Sequence, residues 1–209
     1  MMESHETKCI EELAAGGETA LARLLAEYES RLRKMIEFRL DDRLWGRLDT
    51  ADVLQEVYMA AARRLGDYLR DPAVPVFVWL RTMTQQVLAD LHRRHLGAQK
   101  RDAGRDMPLH RRVGASSASI SIAARLAASW TSPSQAAVRA DTRRQLYDAL
   151  EKMDPVDREV LALRHFEDLS NGEVAQILGL QKAAASNRYI RALKRLKEIL
   201  SDAGFDGLD

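Results

Sequence analysis

"GLQKAAASNRYIRALKRLKE", residues 179–198, is the stretch of the sequence that predicts the most about the fold. It begins at a glycine, passes through three alanines and then becomes strongly basic, with no acidic residue between positions 182 and 197. Its cations are Lys182, Arg188, Arg191, Lys194, Arg195 and Lys197. Because the whole chain is nearly neutral, with 32 basic and 31 acidic residues, this local excess predicts contact with a polyanion.

On a helical wheel the same stretch separates into two faces. Apolar residues recur at three- and four-residue steps and predict one buried stripe. The stripe consists of Ala185, Tyr189, Ala192, Leu193, Leu196 and Leu200. The opposite side carries Ala184, Asn187, Arg188, Arg191 and Arg195.

The residues before this helix predict two shorter helices. "LSNGEVAQILGL", residues 169–180, carries the signals of a short helix: Ser170 and Glu173 at capping-box spacing, Asn171 as a competing cap, and Gly179 at the end. "MDPVDREVLALRHF", residues 153–166, offers Asp154 as N-cap, Pro155 at the first helical position and Asp157 in the first turn. Two helices joined by a tight turn that contains glycine form a helix-turn-helix, and Ala175 lies where they must cross closely.

The basic face has two interpretations. From charge alone, a solvated surface and a DNA contact are equally consistent with it. The glycine turn, the small crossing residue and the placed Asn and Arg side chains favour DNA. Asn and Arg can hydrogen-bond base edges in the major groove, whereas Lys and Arg further along can bind phosphates.

Composition indicates an all-α protein with two small helical domains. Hydrophobic residues make up 46% of the 209 residues and aromatic residues only 6%, and Ala, Leu, Arg, Glu and Asp dominate. With one cysteine, Cys9, no disulfide framework is possible. No signal peptide and no apolar run of membrane-spanning length is recognisable, so we expect a cytoplasmic protein without membrane contact.

The predicted domains lie on either side of a basic segment. Residues 98–143 hold eight basic and three acidic residues. We predict a flexible linker rich in Ser, Gly and Arg over 98–137, within which "ISIAARLAASW", residues 120–130, could form a short surface helix. The expected division is a tail at 1–17, a helical domain at 18–97, the linker, a helix-turn-helix domain at 138–201 and a tail at 202–209.

A second, non-basic face is predicted in "DTADVLQEVYMAAARRL", residues 49–65, which Asp49 or Thr50 can cap. Its buried stripe is Leu54, Val57, Tyr58, Ala61 and Leu65. The other side carries Asp52, Gln55, Glu56, Met59 and Arg63. This side is either solvated or suited to docking a basic protein helix.

The next segment combines a loop with a basic helix. Residues 66–75, with Gly66, Pro72 and Pro75, predict a loop. The helix after it is expected to bury Phe77, Leu80, Met83, Leu88 and Leu91. It ends in "HRRHLGAQKR", and such a loop and helix could hold single-stranded or distorted nucleic acid. His92 and His95 could in principle bind a metal, but no Cys or carboxylate cluster completes a site, which favours surface histidines.

Together these motifs resemble the extracytoplasmic-function (ECF) group of bacterial sigma factors. "DTADVLQEV" resembles the group's "D-x-x-D-L-V-Q-E-V" of region two, and "FVWLRTMTQQVLADLHRR" resembles its "F-x-x-W-L-x-x-I-A-x-N-x-x-x-D-x-x-R-R" helix. Residues 150–200 resemble region four almost from end to end. Two motifs in the right order are more specific than one helix-turn-helix.

The resemblance implies roles that the helical wheels do not. It implies a non-enzymatic subunit without cofactor or metal, which binds the clamp helices of the largest subunit and the flap of the second-largest subunit of core RNA polymerase, and promoter DNA. An anti-sigma factor is a further expected partner. Polymerase binding would fall to Asp52, Gln55 and Glu56. Contacts with the −10 element would fall to Asp67, Tyr68, Arg70, Gln86, Arg93 and Arg94, and contacts with the −35 element to Lys182, Ala184, Asn187, Arg188, Arg191, Lys194 and Arg195.

Two departures from the family pattern concern the promoter sequence. Gln85 and Gln86 replace the usual Arg-Asn pair, and Ala183, Ala184 and Ala185 replace Gly-Thr-Val. The competing interpretation is a stand-alone helix-turn-helix regulator with an N-terminal sensor or interaction domain. The region-two motif argues against it, because a sensor has no need of the "DVLQEV" face. Nothing resembles a nucleophile–base pair or a phosphate-binding loop, so an enzyme is not expected.

Overall fold

The computed structural model describes residues 2–41, 44, 47–96, 109–130, 136–202 and 204. Every regular element among these residues is helical, so the predicted all-α fold class is confirmed. The helices are α1 (Met2–Arg39), α2 (Thr50–Arg70), α3 (Val76–Leu96), α4 (Leu109–Trp130), α5 (Ala136–Leu150), α6 (Pro155–Leu161), α7 (Asn171–Leu178) and α8 (Lys182–Asp202). A π-helical turn, Ala162–Phe166, continues α6. No helix in the described ranges has the length and apolar character that crossing a lipid bilayer requires.

The described residues form two compact units, α1–α3 and α4–α8. In the first unit each helix packs against the other two. All five residues predicted to be buried on α3 are buried. On α2 the stripe is also as predicted, except that Tyr58 is partly exposed and Val53 is buried as well.

A reciprocal capping box starts α2. The Asp49 carboxylate accepts a hydrogen bond from the Asp52 N–H at 2.8 Å, and the Asp52 carboxylate accepts one from the Asp49 N–H at 3.1 Å. Two otherwise unpaired groups at the helix start are thereby satisfied. The cap that the sequence left open between Asp49 and Thr50 is therefore Asp49.

The structure corrects the prediction of an N-terminal tail at 1–17. Helix α1 begins at Met2, and Cys9 and Leu13 are buried in the first unit. Gly17, with φ 52° and ψ −131°, interrupts the helix in a conformation that glycine adopts without steric cost. The Glu6 carboxylate accepts a hydrogen bond from the backbone N–H of Val76, so this segment also contacts the start of α3.

The predicted loop at 66–75 is shorter in the structure. Helix α2 runs through Gly66 to Arg70, and the loop comprises residues 71–75. Leu65 and Tyr68 continue the buried stripe beyond the glycine, and this burial outweighs the low helix propensity of glycine, about 1 kcal/mol.

Most of the helix signals in the second unit are confirmed. Asp154 caps α6, accepting hydrogen bonds from the N–H groups of Val156 and Asp157 at 2.8 and 3.3 Å. Ser170, not the competing Asn171, caps α7 in a capping box with Glu173.

Helix α4 occupies part of the range in which a flexible linker was predicted. It is twice as long as the surface helix expected at 120–130, and it packs against α5 and α6. Among the side chains of α4 at positions 118–128, the buried ones are Ala118, Ser119, Ser121, Ile122, Ala123 and Ala127. The predominance of short side chains lets α4 lie close to its neighbours, so serines of this range, which contributed to the linker prediction, serve helix packing instead. The rest of the predicted linker, residues 98–108 and 131–135, lies outside the described residues.

The N-terminal half of α1 supplies a stability prediction. Leu13→Ala should lower the free energy of unfolding by about 2–5 kcal/mol, because Leu13 is fully buried and its truncation leaves a cavity. The exposed neighbour Glu11, replaced by Ala, should change it by no more than about 0.5 kcal/mol. Urea unfolding of the full chain measures both. Equal effects of the two substitutions would mean that residues 2–16 are a tail after all.

Candidate nucleic-acid interface

Helices α7 and α8 form the predicted helix-turn-helix. Gly179 ends α7 in the left-handed conformation, with φ 64°. The Leu180 N–H then donates to the Ala175 carbonyl at 2.8 Å, which closes the turn. The Asn171 side-chain amide donates to the Lys182 carbonyl at 2.7 Å and joins the start of α7 to the start of α8. Ala175 is buried, as its predicted position at the crossing requires.

One side of α8 is buried as a stripe that begins with small residues and ends with large ones. Ala185 and Ala192 have no exposed surface, and Ile199 and Leu200 are buried further along. The Arg164 guanidinium of the π-helical turn lies 5.2 Å from the centre of the Tyr189 ring and donates to the Leu169 carbonyl at 2.7 Å. Leu193, which the sequence assigned to the stripe, is 38% exposed. The wheel misplaced it because Leu193 lies at the edge of the stripe.

The other side of α8 faces solvent. Its exposed residues include Lys182, Ala184, Asn187, Arg191, Lys194 and Arg195. An open depression of about 640 Å³ lies over the first turns and is lined by Leu180, Ala184, Asn187, Arg188, Ile190 and Arg191. Cationic, amide and apolar groups therefore share one surface.

Ile190 is the residue of this surface that sequence reasoning missed. Its side chain is 63% exposed, the largest exposed fraction among the large hydrophobic side chains of the described residues. The signal was present in the sequence, because position 190 falls outside the periodic stripe of α8. Ile190 was not predicted as a functional residue because the prediction for that face was based on its polar and small residues.

The cations of α8 differ in their partners. Arg195 pairs with Glu198 at 3.1 Å, one turn further along the helix. Arg188 donates to two carboxylates of the α6 start, Asp154 at 3.1 Å and Asp157 at 2.7 Å. Within the described part of the chain, Lys182, Arg191 and Lys194 form no ion pair.

The predicted polymerase-binding residues share the solvent side of α2. Asp52 and Gln55 are exposed, and the exposed Met59 lies one turn beyond Gln55. Glu56 is half-buried because its carboxylate accepts a hydrogen bond from the Arg94 guanidinium of α3 at 2.6 Å. Sequence analysis assigned Glu56 to polymerase and Arg94 to DNA, and the structure brings the two side chains together.

The residues predicted to contact −10 DNA do not form one cluster. Arg93 pairs with Asp90 at 2.9 Å on α3, whereas Arg70 pairs with Asp67 on the last turn of α2. The Gln86 side-chain carbonyl accepts a hydrogen bond from Arg64. All of these groups are at least partly exposed.

Tyr68 differs from the rest of that set. It is 6% exposed, and its ring stacks on Trp79 with 4.4 Å between ring centres. Its hydroxyl donates to the Val74 carbonyl at 2.8 Å, which ties the 71–75 loop to α2. Burial raises the pKa of Tyr68 above its usual range, so the hydroxyl keeps its proton. In this conformation its ring cannot stack on a base, and Tyr68 is a core residue rather than a surface contact.

The two histidines considered as metal ligands have other surroundings. His92 accepts a hydrogen bond from the Asp41 N–H at 3.2 Å, and His95 is exposed. Among the described residues, no group of three His, Cys, Asp or Glu side chains has the arrangement of a metal site.

Comparisons with known proteins show which proteins the chain is similar to. A sequence profile described as "Sigma-70, region 4" matches residues 143–196, which include the helix-turn-helix. The chain is 23% identical to the ECF RNA polymerase sigma factor BldN of Streptomyces coelicolor, over 92% of this chain and 65% of BldN. It is 29% identical to the ECF RNA polymerase sigma factor SigD of Mycobacterium tuberculosis, over 93% of this chain and 84% of SigD.

A solved structure shares the fold. CnrH, in a complex with the cytosolic domain of CnrY, superposes with a TM-score of 0.51 at 23% identity, over 94% of this chain and 97% of CnrH. The profile match makes the helix-turn-helix similar to region 4 of the sigma-70 family. The relatives that align along nearly the whole chain are ECF RNA polymerase sigma factors, so the chain is similar to that group over almost its whole length.

The position of Tyr68 generates a prediction that separates a core residue from a DNA contact. Tyr68→Phe keeps the stacking on Trp79 but removes the donor to Val74, so it should lower the free energy of unfolding by about 1 kcal/mol. Tyr68→Ala should lower it by about 3–5 kcal/mol. If thermal melting of both variants matches wild type while binding to −10 DNA is lost, Tyr68 is a DNA contact and not a core residue.

Proposed function

We propose that this protein is an ECF sigma factor, a non-catalytic promoter-specificity subunit that binds core RNA polymerase and directs it to −10 and −35 promoter elements. The observation that carries the proposal is the solvent side of α8, where unpaired cations and an amide lie on a helix whose other side is buried. A major groove is wide enough to admit one α-helix. Because core polymerase and promoter DNA are in the cytoplasm, such a subunit acts there.

For the −35 element, we assign two kinds of contact to α8. Asn187 and Arg191 lie in the open depression and suit hydrogen bonds with base edges. Ala184 and Ile190 line the same depression and suit apolar contact with thymine methyl groups. Lys182, Lys194 and Arg195 suit phosphate contacts, which orient the helix without specifying sequence.

For polymerase, we assign the solvent side of α2. Asp52, Gln55 and Glu56 offer two carboxylates and an amide, with the exposed Met59 beside them. This combination suits the basic clamp helices of the largest subunit, because opposite charges steer the encounter while apolar contact adds affinity. We assign the flap of the second-largest subunit to the second unit.

For the −10 element, we assign the end of α2 and the C-terminal part of α3. Asp67, Arg70, Gln86, Arg93 and Arg94 are accessible there, whereas Tyr68 holds the adjacent loop in place. CnrH is known in complex with the cytosolic domain of CnrY. That likeness supports including a protein inhibitor of the anti-sigma kind among the proposed partners.

The docking surface can be tested without damaging the fold. Asp52→Asn keeps an acceptor for the Asp49 N–H and removes the charge, so Asp52→Asn with Gln55→Ala should leave α2 capped. We expect affinity for core polymerase to fall at least about tenfold, the effect of losing interface contacts worth about 1.4 kcal/mol. Binding of labelled chain to core measures it.

One control and the choice of substituted residues make that test specific. Glu11→Gln, an exposed charge change on α1, should leave the affinity unchanged. Glu56 is kept intact because its loss would also release Arg94. Wild-type affinity in the α2 variant would contradict the docking assignment, and failure of the wild-type chain to bind core at all would favour a stand-alone regulator.

The α8 assignment predicts two separate effects on DNA binding. Arg191→Ala should relax base preference at particular −35 positions, by about 1–3 kcal/mol of discrimination, and leave −10 preference unchanged. Lys194→Gln should weaken all promoters alike and reduce the salt slope by about one. Randomised-promoter selection and salt titration of the holoenzyme measure these effects, with exposed Lys152→Gln as the charge control. Identical −35 preferences for wild type and Arg191→Ala would refute base recognition by α8.

A further inference from the structure

Arg188 differs from the other cations of α8 in how its side chain is held. One of its terminal nitrogens, Nη1, donates to Asp154 Oδ1 at 3.1 Å and to Asp157 Oδ1 at 2.7 Å. The Arg188 side chain is 28% exposed, and that of Asp157 is less exposed still. These contacts join positions 31 and 34 residues apart in the sequence, so they fix α8 against the start of α6.

The partners of Arg188 are themselves fixed. Asp154 is the N-cap of α6 and also accepts hydrogen bonds from two backbone N–H groups there. Asp157 lies in the first turn of α6, where the partial positive charge of the helix start favours a carboxylate. Arg188 therefore meets two negative groups that cannot follow it if it turns away.

Turning Arg188 towards a base would have an electrostatic cost. Both carboxylates would lose their cation, and both would then lie close to a helix that the proposed function places against negatively charged DNA. Exposed charges act over about 10 Å at 0.1 M salt, so unpaired carboxylates there would repel phosphates. Arg191, by contrast, has no partner to leave within the described residues.

We propose that Arg188 is a positioning residue: it sets the angle of α8 on α6 and neutralises Asp154 and Asp157, while base contacts fall to Arg191 and Asn187. This inference rests on the proposed −35 function and adds a role for Arg188, to which that proposal assigns no contact. The family resemblance had placed Arg188 among the DNA contacts. A side chain that neutralises two carboxylates affects affinity for all −35 sequences equally, whereas a base contact affects preference at one position.

The test compares Arg188→Ala, Arg188→Lys, Asp157→Asn and the double variant Arg188→Ala/Asp157→Asn in holoenzyme, with Arg191→Ala as the base-contact control. Affinity is measured across a randomised −35 library. Arg188→Ala should weaken every promoter roughly tenfold at about 0.1 M salt, since unpaired negative charge is then uncovered, without changing base preference. The double variant should recover most of this loss, and Arg188→Lys should keep wild-type preference.

A different set of results would overturn the proposal. Arg188 would be a base contact if Arg188→Ala changes the preference at one base pair and Arg188→Lys produces the same change. In that case adding Asp157→Asn to Arg188→Ala would not restore the wild-type preference. If Arg191→Ala also leaves preference unchanged, the −35 function itself fails. Thermal melting still tests the positioning role in that case. If Arg188 and Asp157 act as a pair, the double variant Arg188→Ala/Asp157→Asn should lower the melting temperature by less than the sum of the two single substitutions. Additive shifts would mean that Arg188 does not fix α8 on α6.

Discussion

The close crossing of α7 and α8 is the contact on which the DNA-binding surface depends. Small side chains permit such a close approach, and Ala175 on α7 and Ala185 and Ala192 on α8 are all buried. The crossing also requires a turn that reverses the chain within a few residues, which Gly179 provides with its positive φ. With one side of α8 committed to this packing, its polar and cationic residues face solvent together. A larger residue at any of these buried alanines should push α8 away from the helices packed against it and change the direction in which Asn187 and Arg191 point.

The sequence predicted what depends on local chemistry. The caps at Asp154 and Ser170 and the turn at Gly179 are set by side chains within a few residues of each other, so their spacing was sufficient. The sequence did not predict that the N-terminal half of α1 is part of the folded unit. Cys9 and Leu13 give only a weak apolar pattern, and their burial depends on contacts with the rest of the first unit. The burial of Tyr68 depends on Trp79, and the pairing of Arg188 depends on Asp157, 31 residues earlier. Pattern analysis cannot choose between such distant partners and solvent.

The near-zero net charge of the chain is reflected in ion pairs between its arginines and its own carboxylates. Most of the arginines that the family resemblance assigned to DNA are paired with a carboxylate of the same chain: Arg70 with Asp67, Arg93 with Asp90, Arg94 with Glu56, Arg188 with Asp154 and Asp157, and Arg195 with Glu198. Pairs exposed to this extent each contribute about 1 kcal/mol or less, so most can exchange a carboxylate for a phosphate at little cost. Arg188 is the exception, because it has two partners and is the least exposed of the five. Because Arg191 and Lys194 have no carboxylate partner among the described residues, they can contact DNA without first breaking an ion pair.

We propose that the solvent side of α8 enters the major groove at the −35 element. A photo-crosslinking amino acid introduced at Ile190, in holoenzyme bound to promoter DNA, tests it most directly. The same group at Val138, an exposed apolar position on α5, serves as the control. Crosslinks from position 190 to bases of the −35 element, with none from position 138, are the predicted result. Crosslinks from position 138 alone, or from neither position in a complex that initiates transcription, would show that α8 does not enter the −35 major groove.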